Sequence, residues 1–233
     1  MIIGALGDIH GAFDTVQLIM RRHPDVPLWI SVGDVASNDG DYFEPIAPLH
    51  FIKGNNEDFD VLADTLAGRL AAPPTLHYLP NGAPHVVGPW RIAALGGTFA
   101  PSWYNTAPSD LPPSKGRKPS AASLKLGKSR DDKRRHFVRD EVAACKAAVR
   151  IDVLLTHEAP RPFYPAGKRI DAGKTVLNDV LAAMRPRLHL FGHHHEFSDS
   201  IRQGVRSIGL DVVTNSYLLI ETDTFKTERC DTQ

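Results

Sequence analysis

The chain has 233 residues, of which 42% are hydrophobic and 23% charged, so it can bury a core as ordinary globular proteins do. Lys+Arg and Asp+Glu number 27 each, and this balance predicts neither a nucleic-acid nor a membrane partner from global charge. Cys145 and Cys230 are too few for a disulfide framework and fit no metal-binding spacing. With no basic leader and no apolar run long enough for a membrane span, the sequence predicts a soluble, cytoplasmic protein.

Short apolar runs alternate with amphipathic segments in the first third of the chain. Strands are predicted at residues 1–6, 28–32 and 49–52, each a run of apolar residues next to turn-forming ones. Helices are predicted at residues 12–23 and 57–66 from apolar residues at helical spacing. Strands that alternate with helices predict βαβ units and a mainly parallel sheet.

The middle of the chain has a different pattern. Residues 76–79, 85–87 and 90–95 read as consecutive antiparallel strands, because tight-turn sequences separate them. Residues 99–135 show no periodicity and are rich in Pro, Ser, Gly and basic residues, which predicts an inserted loop or lid.

The second part of this insert, residues 115–135, is strongly basic. It contains nine Lys or Arg residues against two Asp residues. Such a segment can contact the phosphates of a nucleotide or nucleic acid, or it can be a solvated loop. The solvated loop is favoured, because no aromatic residue is interleaved for base stacking.

The last part of the chain returns to alternating helices and strands, and the whole pattern predicts two packed sheets with helices outside. No internal repeat or second domain boundary is visible. Helices are predicted at residues 134–149 and 174–184, and strands at 151–155, 188–191, 197–202, 205–208 and 217–220.

Clusters of polar residues follow five of the apolar runs. Asp8 and His10, two residues apart just after the first strand, can both face one point above the sheet edge. Any one of these clusters is a weak signal, but their recurrence in order is a strong one. The clusters are Gly7-Asp8-Ile9-His10-Gly11, Gly33-Asp34, Gly54-Asn55-Asn56-Glu57, Thr156-His157 and Gly192-His193-His194-His195.

This ordered set resembles the pattern of the calcineurin-like metallophosphoesterase superfamily. The resemblance spans Asp8 to His195. It implies an α/β fold, namely a four-layer α/β/β/α sandwich of two mixed sheets flanked by helices, in a single domain over residues 1–233. It also implies a metal-dependent phosphoric ester hydrolase with a dinuclear metal centre and a metal-bound water or hydroxide as nucleophile.

The resemblance also implies the ligands of two divalent transition-metal ions, and mixed imidazole and carboxylate ligands suit Mn, Fe, Zn or Ni. Asp34 is expected to bridge the two ions, and His194 is expected to have no ligand role. One ion would be held by Asp8, His10, Asp34 and His195, and the other by Asp34, Asn55, His157 and His193.

Asn56 departs from the family pattern, which has a histidine after the ligand asparagine. That histidine is thought to protonate the leaving group or stabilise charge. An amide donates a hydrogen bond but supplies no proton near neutral pH. We therefore expect Asn56 to orient a phosphate oxygen, and substrates to leave easily or to be protonated by another group.

Several substrate classes stay open at this stage. Ser37 and Asn38 replace the Asp-Arg of protein phosphatases and diadenosine tetraphosphatases, so that assignment is disfavoured. Lariat-debranching enzymes are distantly similar in layout, through Leu95-Gly96-Gly97 and the stretch from Thr156 to Pro160. Phosphodiesters are favoured, with phosphomonoesters or a non-catalytic scaffold module of the same fold as alternatives. The physiological substrate, the metal pair and the oligomeric state are left undetermined.

Overall fold

Two six-stranded sheets face each other and carry helices on their outer faces. The computed structural model describes residues 1–114, 131–164 and 172–233. In chain order, the described helices and strands are β1 (Ile2–Leu6), α1 (Phe13–Arg22), β2 (Trp29–Ser31), β3 (Leu49–Phe51), α2 (Phe59–Leu66), β4 (Leu76–Tyr78), β5 (Pro84–Val87), β6 (Trp90–Leu95), β7 (Thr98–Phe99), β8 (His136–Phe137), α3 (Arg139–Ala147), β9 (Val153–Thr156), α4 (Thr175–Met184), β10 (Leu188–Phe191), β11 (Ser198–Arg202), β12 (Val205–Gly209), β13 (Ser216–Glu221) and β14 (Thr227–Asp231).

Both large sheets are mixed. The first has the order β14-β13-β1-β2-β3-β4, with β1 to β4 parallel and β13 and β14 antiparallel to their neighbours. The second has the order β11-β12-β10-β9-β6-β5, with a parallel centre and an antiparallel strand at each edge. A short parallel pair, β7 and β8, lies outside them.

Alternating side chains explain the layers. In β1, Ile3 and Ala5 face the second sheet within the largest buried apolar cluster, whereas Leu6 faces outward with Val16 and Ile19 of α1. A third cluster packs α3 and α4 against the outer face of the second sheet. The predicted four-layer α/β/β/α sandwich of two mixed sheets is therefore confirmed.

The prediction for residues 76–79 was wrong in its pairing. β4 pairs in parallel with β3 in the first sheet, and the chain then crosses to the second sheet, where β5 and β6 form the antiparallel pair. Asn81 holds this crossing: its amide Nδ2 donates to the Gly96 carbonyl at 3.0 Å, and its Oδ1 accepts from the Gly96 N–H at 2.6 Å. A short apolar run followed by a turn sequence predicts a strand, but it does not show which of the two sheets that strand joins.

The helix predicted at residues 134–149 begins later, at Arg139. The preceding residues form a 3-10 turn, Lys133–Arg135, and then β8. The buried ammonium group of Lys53 donates to the carbonyls of Arg134 and His136, at 2.9 and 3.1 Å. These contacts keep the segment out of the helix. β14, which pairs with β13, was not predicted.

The predicted insert is described at both of its ends. The Ser114 N–H donates to Asp132 Oδ2 at 3.0 Å, and the Lys133 N–H donates to the Pro112 carbonyl at 2.9 Å, so the two ends meet. Most of the basic segment, residues 115–130, lies outside the described residues. The solvated loop therefore stays a prediction, and contact with a nucleotide or nucleic acid stays the alternative to it. None of the helices in the described ranges is long and apolar enough to cross a bilayer.

His189 in the centre of β10 makes stability depend on pH. Burial lowers the pKa of His189 to about 3, below the ordinary value of 6.5, and its ring contacts Thr156 and Ser207. A histidine whose pKa is lowered by folding contributes stability above its unfolded pKa, and this is lost as the pH falls. From pH 7 to pH 5, we expect it to remove about 2 kcal/mol from the free energy of unfolding.

Urea unfolding at the two pH values measures this effect. Between pH 7 and pH 5, the free energy of unfolding of His189→Gln should fall by about 2 kcal/mol less than that of the parent protein. Ser207→Ala keeps the imidazole while removing one of its partners, and should keep the parent's pH dependence. Equal losses in His189→Gln and the parent would contradict the prediction.

Candidate metal centre

The residues expected to bind metal follow the carboxyl ends of five parallel strands. β1, β2 and β3 are neighbours in the first sheet, and β9 and β10 are neighbours in the second. Because the two sheets face each other, these strand ends meet at one edge of the sandwich. Asp8 and His10 follow β1, Asp34 follows β2, Asn55 follows β3, His157 follows β9, and His193 and His195 follow β10.

Asp8, His10 and His195 form one cluster of donor atoms. His195 Nε2 lies 3.0 Å from Asp8 Oδ2 and 3.2 Å from His10 Nε2. His10 Nε2 lies 3.9 Å from Asp8 Oδ2. Two imidazoles and a buried carboxylate therefore face one point, although His195 is remote in sequence from Asp8 and His10.

Asp34 joins this cluster to a second one. Its Oδ2 lies 3.5 Å from His10 Nε2, and its Oδ1 lies 3.5 Å from His157 Nε2. The amide oxygen of Asn55 is 3.3 Å from the same nitrogen of His157. One carboxylate thus presents an oxygen to each of two histidines on opposite sides.

His193 borders the second cluster. Its backbone N–H donates to both carboxylate oxygens of Asp8 at 3.1 Å, and its ring lies edge-on to the His157 ring with centroids 4.9 Å apart. His194 instead stacks on Phe163, with ring centroids 4.2 Å apart. The two neighbouring histidines therefore face different surroundings.

These donor atoms fit a transition-metal ion. Ligands bonded at about 2.1 Å in tetrahedral or octahedral geometry lie roughly 3.0–3.4 Å from one another. Most of the separations above are within a few tenths of an ångström of that range. The groups Asp8, His10, His195 and Asp8, Asp34, His157 each have donor atoms within 4.8 Å of one another.

The backbone of this centre is strained. His10, Asp34, His193 and His195 have φ values of 47°, 51°, 71° and 51°, in the left-handed region that disfavours residues with a Cβ. Such conformations cost about 1–3 kcal/mol each and concentrate at functional sites. Hydrogen bonds hold them here: the Ile9 and His10 N–H groups donate to the Asp34 carbonyl at 3.0 and 2.7 Å.

Two glycines let the carboxylates approach the neighbouring strand ends. A Cβ on Gly54 would lie 2.0 Å from Asp34 Oδ1, and one on Gly192 would lie 2.3 Å from Asp8 Oδ1. Any side chain at either position would displace the carboxylate. The glycines of the sequence clusters therefore provide space as well as turns.

Glu57 supports the centre from behind, a role that the sequence did not reveal although the residue lies in a recognised cluster. Its buried carboxylate accepts from the N–H groups of Val35, Ala36 and Gly54 at 3.0, 3.3 and 3.2 Å. Burial and the nearby Asp34 carboxylate raise the pKa of Glu57 to about 7. One signal in the sequence could have revealed this role. Glu57 is an acidic residue at a loop position that must be buried.

The orientation of His157 is defined by its second nitrogen. Nδ1 lies 2.8 Å from the Val32 carbonyl oxygen, which can only accept, so Nδ1 carries a proton. Nε2 is thereby directed at Asp34 and Asn55, the arrangement typical of metal-binding histidines. Burial alone would lower the pKa of His157, but the Asp34 and Asp8 carboxylates outweigh it and raise that pKa.

The surroundings of the other ionisable groups at the centre shift their pKa values in different directions. Burial would raise the pKa of Asp8, but His157 and His195 hold that pKa below its ordinary value. The hydrogen bond to Asp8 raises the pKa of His195. Burial and the His157 charge lower the pKa of His193 to about 3, so its ring is neutral and keeps a lone pair.

Asn56 contacts the loop after β2. Its backbone N–H donates to Asp34 Oδ1 at 2.6 Å, and its side-chain Nδ2 donates to the Ala36 carbonyl at 3.3 Å. Asn56 therefore fixes the Asp34 carboxylate through its main chain.

Solved structures with this fold come from diverse organisms. TT1561 of Thermus thermophilus aligns with a TM-score of 0.66 at 13% identity, over 100% of this chain and 99% of that one. A putative 5'-nucleotidase from Staphylococcus aureus aligns with a TM-score of 0.52 at 14% identity, over 99% and 53%. GAP50, the anchor in the inner membrane complex of Plasmodium, aligns with a TM-score of 0.51 at 12% identity, over 100% and 89%. At these identities the likeness shows the fold.

The sequence itself defines the family. No curated protein matches the chain at a significant level. Residues 1–197, which include all five polar clusters of the sequence, match the calcineurin-like phosphoesterase family. The chain therefore belongs to the calcineurin-like phosphoesterases, a family of metal-dependent phosphoester hydrolases.

Proposed function

We propose that this protein hydrolyses phosphodiesters at a centre of two transition-metal ions. The observation that carries the proposal is Asp34, whose two carboxylate oxygens each lie 3.5 Å from a different histidine, His10 and His157. A carboxylate with one oxygen for each of two nitrogen ligands is suited to bridge a pair of ions.

The proposed ligands follow from the two clusters, and Mn, Fe, Zn or Ni suit their nitrogen and oxygen donors. When bound, such ions polarise the phosphoryl oxygens and activate water for in-line attack at phosphorus. Asp8, His10, Asp34 and His195 would hold one ion, and Asp34, Asn55, His157 and His193 the other.

Exposure indicates the side from which substrate approaches. The His157 side chain is fully buried, whereas 33% of the His10 side chain and 46% of the His195 side chain are exposed. We infer that the phosphate enters over His10 and His195. His157 and Asp8 then act as the rigid base of the centre, and their fixed positions reduce the reorganisation required during reaction.

We infer a preference for diesters over monoesters from the groups that pair with Asp8 and Asp34. The ion pairs formed by Asp8 and Asp34 in the described residues involve histidines alone, with no arginine or lysine. A monoester dianion requires more compensating positive charge than a singly charged diester. The amide of Asn56 likewise supplies no proton to a basic leaving group.

The first test compares the parent protein with Asp34→Asn. We expect the parent to retain Mn on dialysis and to hydrolyse bis-p-nitrophenyl phosphate faster than p-nitrophenyl phosphate. Asp34→Asn should lose at least about 100-fold in diester hydrolysis, because even groups that only orient ligands are worth 10- to 100-fold. Elemental analysis and initial rates provide the measurements.

Asp25→Asn, an exposed change remote from the centre, is the control and should keep metal and activity. A faster monoester reaction would favour the phosphomonoesterase. Metal retention without hydrolysis of either ester would favour a non-catalytic module of this fold, and either result would contradict the diesterase proposal.

Asn56 gives a second test, on the leaving group. Asn56→His introduces a side chain able to donate a proton, and general acid catalysis contributes typically ~10²–10⁴-fold. We expect this variant to gain most on diesters with basic leaving groups, so that its rate falls less steeply with leaving-group pKa. Asn56→Ala removes the amide without adding an acid and should keep the steep dependence. If the rate depended on leaving-group pKa with the same slope in Asn56→His and in the parent, the proposal that position 56 lacks a proton donor for the leaving group would be contradicted.

Gly54 gives a third test, on carboxylate placement. Gly54→Ala puts a Cβ 2.0 Å from Asp34 Oδ1, so we expect it to weaken Mn binding by at least about tenfold. Gly209→Ala is a matched control, because its Cβ would crowd Ser198 and Phe191 instead, at 2.6 and 2.8 Å. It should lower stability but leave the Mn affinity of the folded protein unchanged. Equal Mn affinities in the two variants, measured by titration, would argue against the proposed placement.

A further inference from the structure

A cavity of about 330 Å³ lies between α2 and strands β3 and β4, on the outer side of the first sheet. Buried Phe51, Leu62 and Leu76 supply apolar walls. Its size is at the lower end of the range of small-molecule binding pockets, roughly 300–1,000 Å³. None of the proposed metal ligands lines it, so it is a separate site.

One wall of the cavity is aromatic. Phe51 lies between Tyr42 and Tyr78, with ring centroids 6.0 and 5.4 Å away, and all three residues line the cavity. Aromatic side chains pack favourably against other rings at centroid separations of about 4.5–7 Å. The wall therefore favours a flat aromatic ligand.

A carboxylate lies at the mouth of the same cavity. Asp41 lines it and is exposed, and its Oδ2 accepts from the Ser37 hydroxyl at 3.1 Å. The ion pairs described nearby join Arg69 to Asp64 and Arg134 to Asp60. Within the described ranges, no ion pair includes Asp41, so its charge is available to a ligand.

We propose that this cavity is a regulatory binding site for a small aromatic amine. The ring of the ligand packs against Tyr42, Phe51 and Tyr78, and its ammonium group pairs with Asp41. An apolar pocket with a carboxylate at its mouth favours an apolar cation over an anion of the same shape, because the anion would meet a like charge in a partly desolvated position.

Tyr42 connects the cavity to the metal centre. Its hydroxyl donates to Glu57 Oε2 at 2.8 Å and accepts from the Asp58 N–H at 3.3 Å. Glu57 in turn accepts from the N–H groups of Val35 and Gly54, which are adjacent to Asp34 and Asn55. A ligand that moves the Tyr42 ring therefore shifts the loops that carry two of the proposed metal ligands. This coupling rests on the proposed metal centre, whereas ligand binding does not.

Binding is tested on the full chain with tryptamine and indole-3-acetate, which share a ring and differ in charge, by isothermal titration or NMR. We expect saturable tryptamine binding, with indole-3-acetate about tenfold weaker. Asp41→Asn should weaken the binding of tryptamine about threefold, as is typical of the loss of an exposed ion pair. Asp64→Asn should leave the affinity for tryptamine unchanged. Thr65→Phe, which narrows the cavity, should abolish binding.

Absence of saturable tryptamine binding, equal affinity for the two probes, or an unchanged affinity in Asp41→Asn would overturn the proposed site. Regulation is tested by titrating Mn with and without saturating tryptamine. We expect the Mn affinity to change by about fivefold, a typical coupling between sites. Tyr42→Phe, measured at a tryptamine concentration that saturates the variant, should remove that change. An unchanged Mn affinity, with tryptamine bound, would overturn the regulatory role.

Discussion

Asp34 is the residue on which the arrangement of the centre depends. Its carbonyl accepts the N–H groups of Ile9 and His10, and its Oδ1 accepts the N–H of Asn56 at 2.6 Å. Through these bonds one residue joins the loops after β1, β2 and β3. Its left-handed backbone, with φ of 51°, directs the carboxylate toward histidines from both sheets. Moving Asp34 would therefore disturb every part of the centre together.

The rigid surroundings explain how such an arrangement persists. Several left-handed residues and two buried carboxylates are each unfavourable alone, at about 1–3 kcal/mol for a strained backbone position. They are tolerated because the strands that carry them belong to two sheets packed through one continuous apolar layer. The packed sheets thus hold these residues in strained backbone conformations. A bound cation would offset the clustered negative charge.

Glu57 links the loops of the centre to the outer side of the first sheet. Its carboxylate binds the backbone on the inner side and the Tyr42 hydroxyl on the outer side, where the aromatic cavity begins. A single buried acid thereby connects the position of the proposed metal ligands to the packing of α2. The same contacts would carry the coupling that we propose between the cavity and the centre.

The sequence by itself determined the layer architecture, the family and the residues that gather at the strand ends, because strand periodicity and the ordered polar clusters are local signals. It did not determine that β4 joins the first sheet, that Lys53 keeps residues 134–136 out of α3, or that Glu57 supports three loops. Each of these depends on partners remote in the chain: a neighbouring strand, a buried ammonium group, and backbone N–H groups left unpaired by loops. Only the tertiary structure decided them, since hydrogen-bond partners and available space are defined once distant segments have packed together.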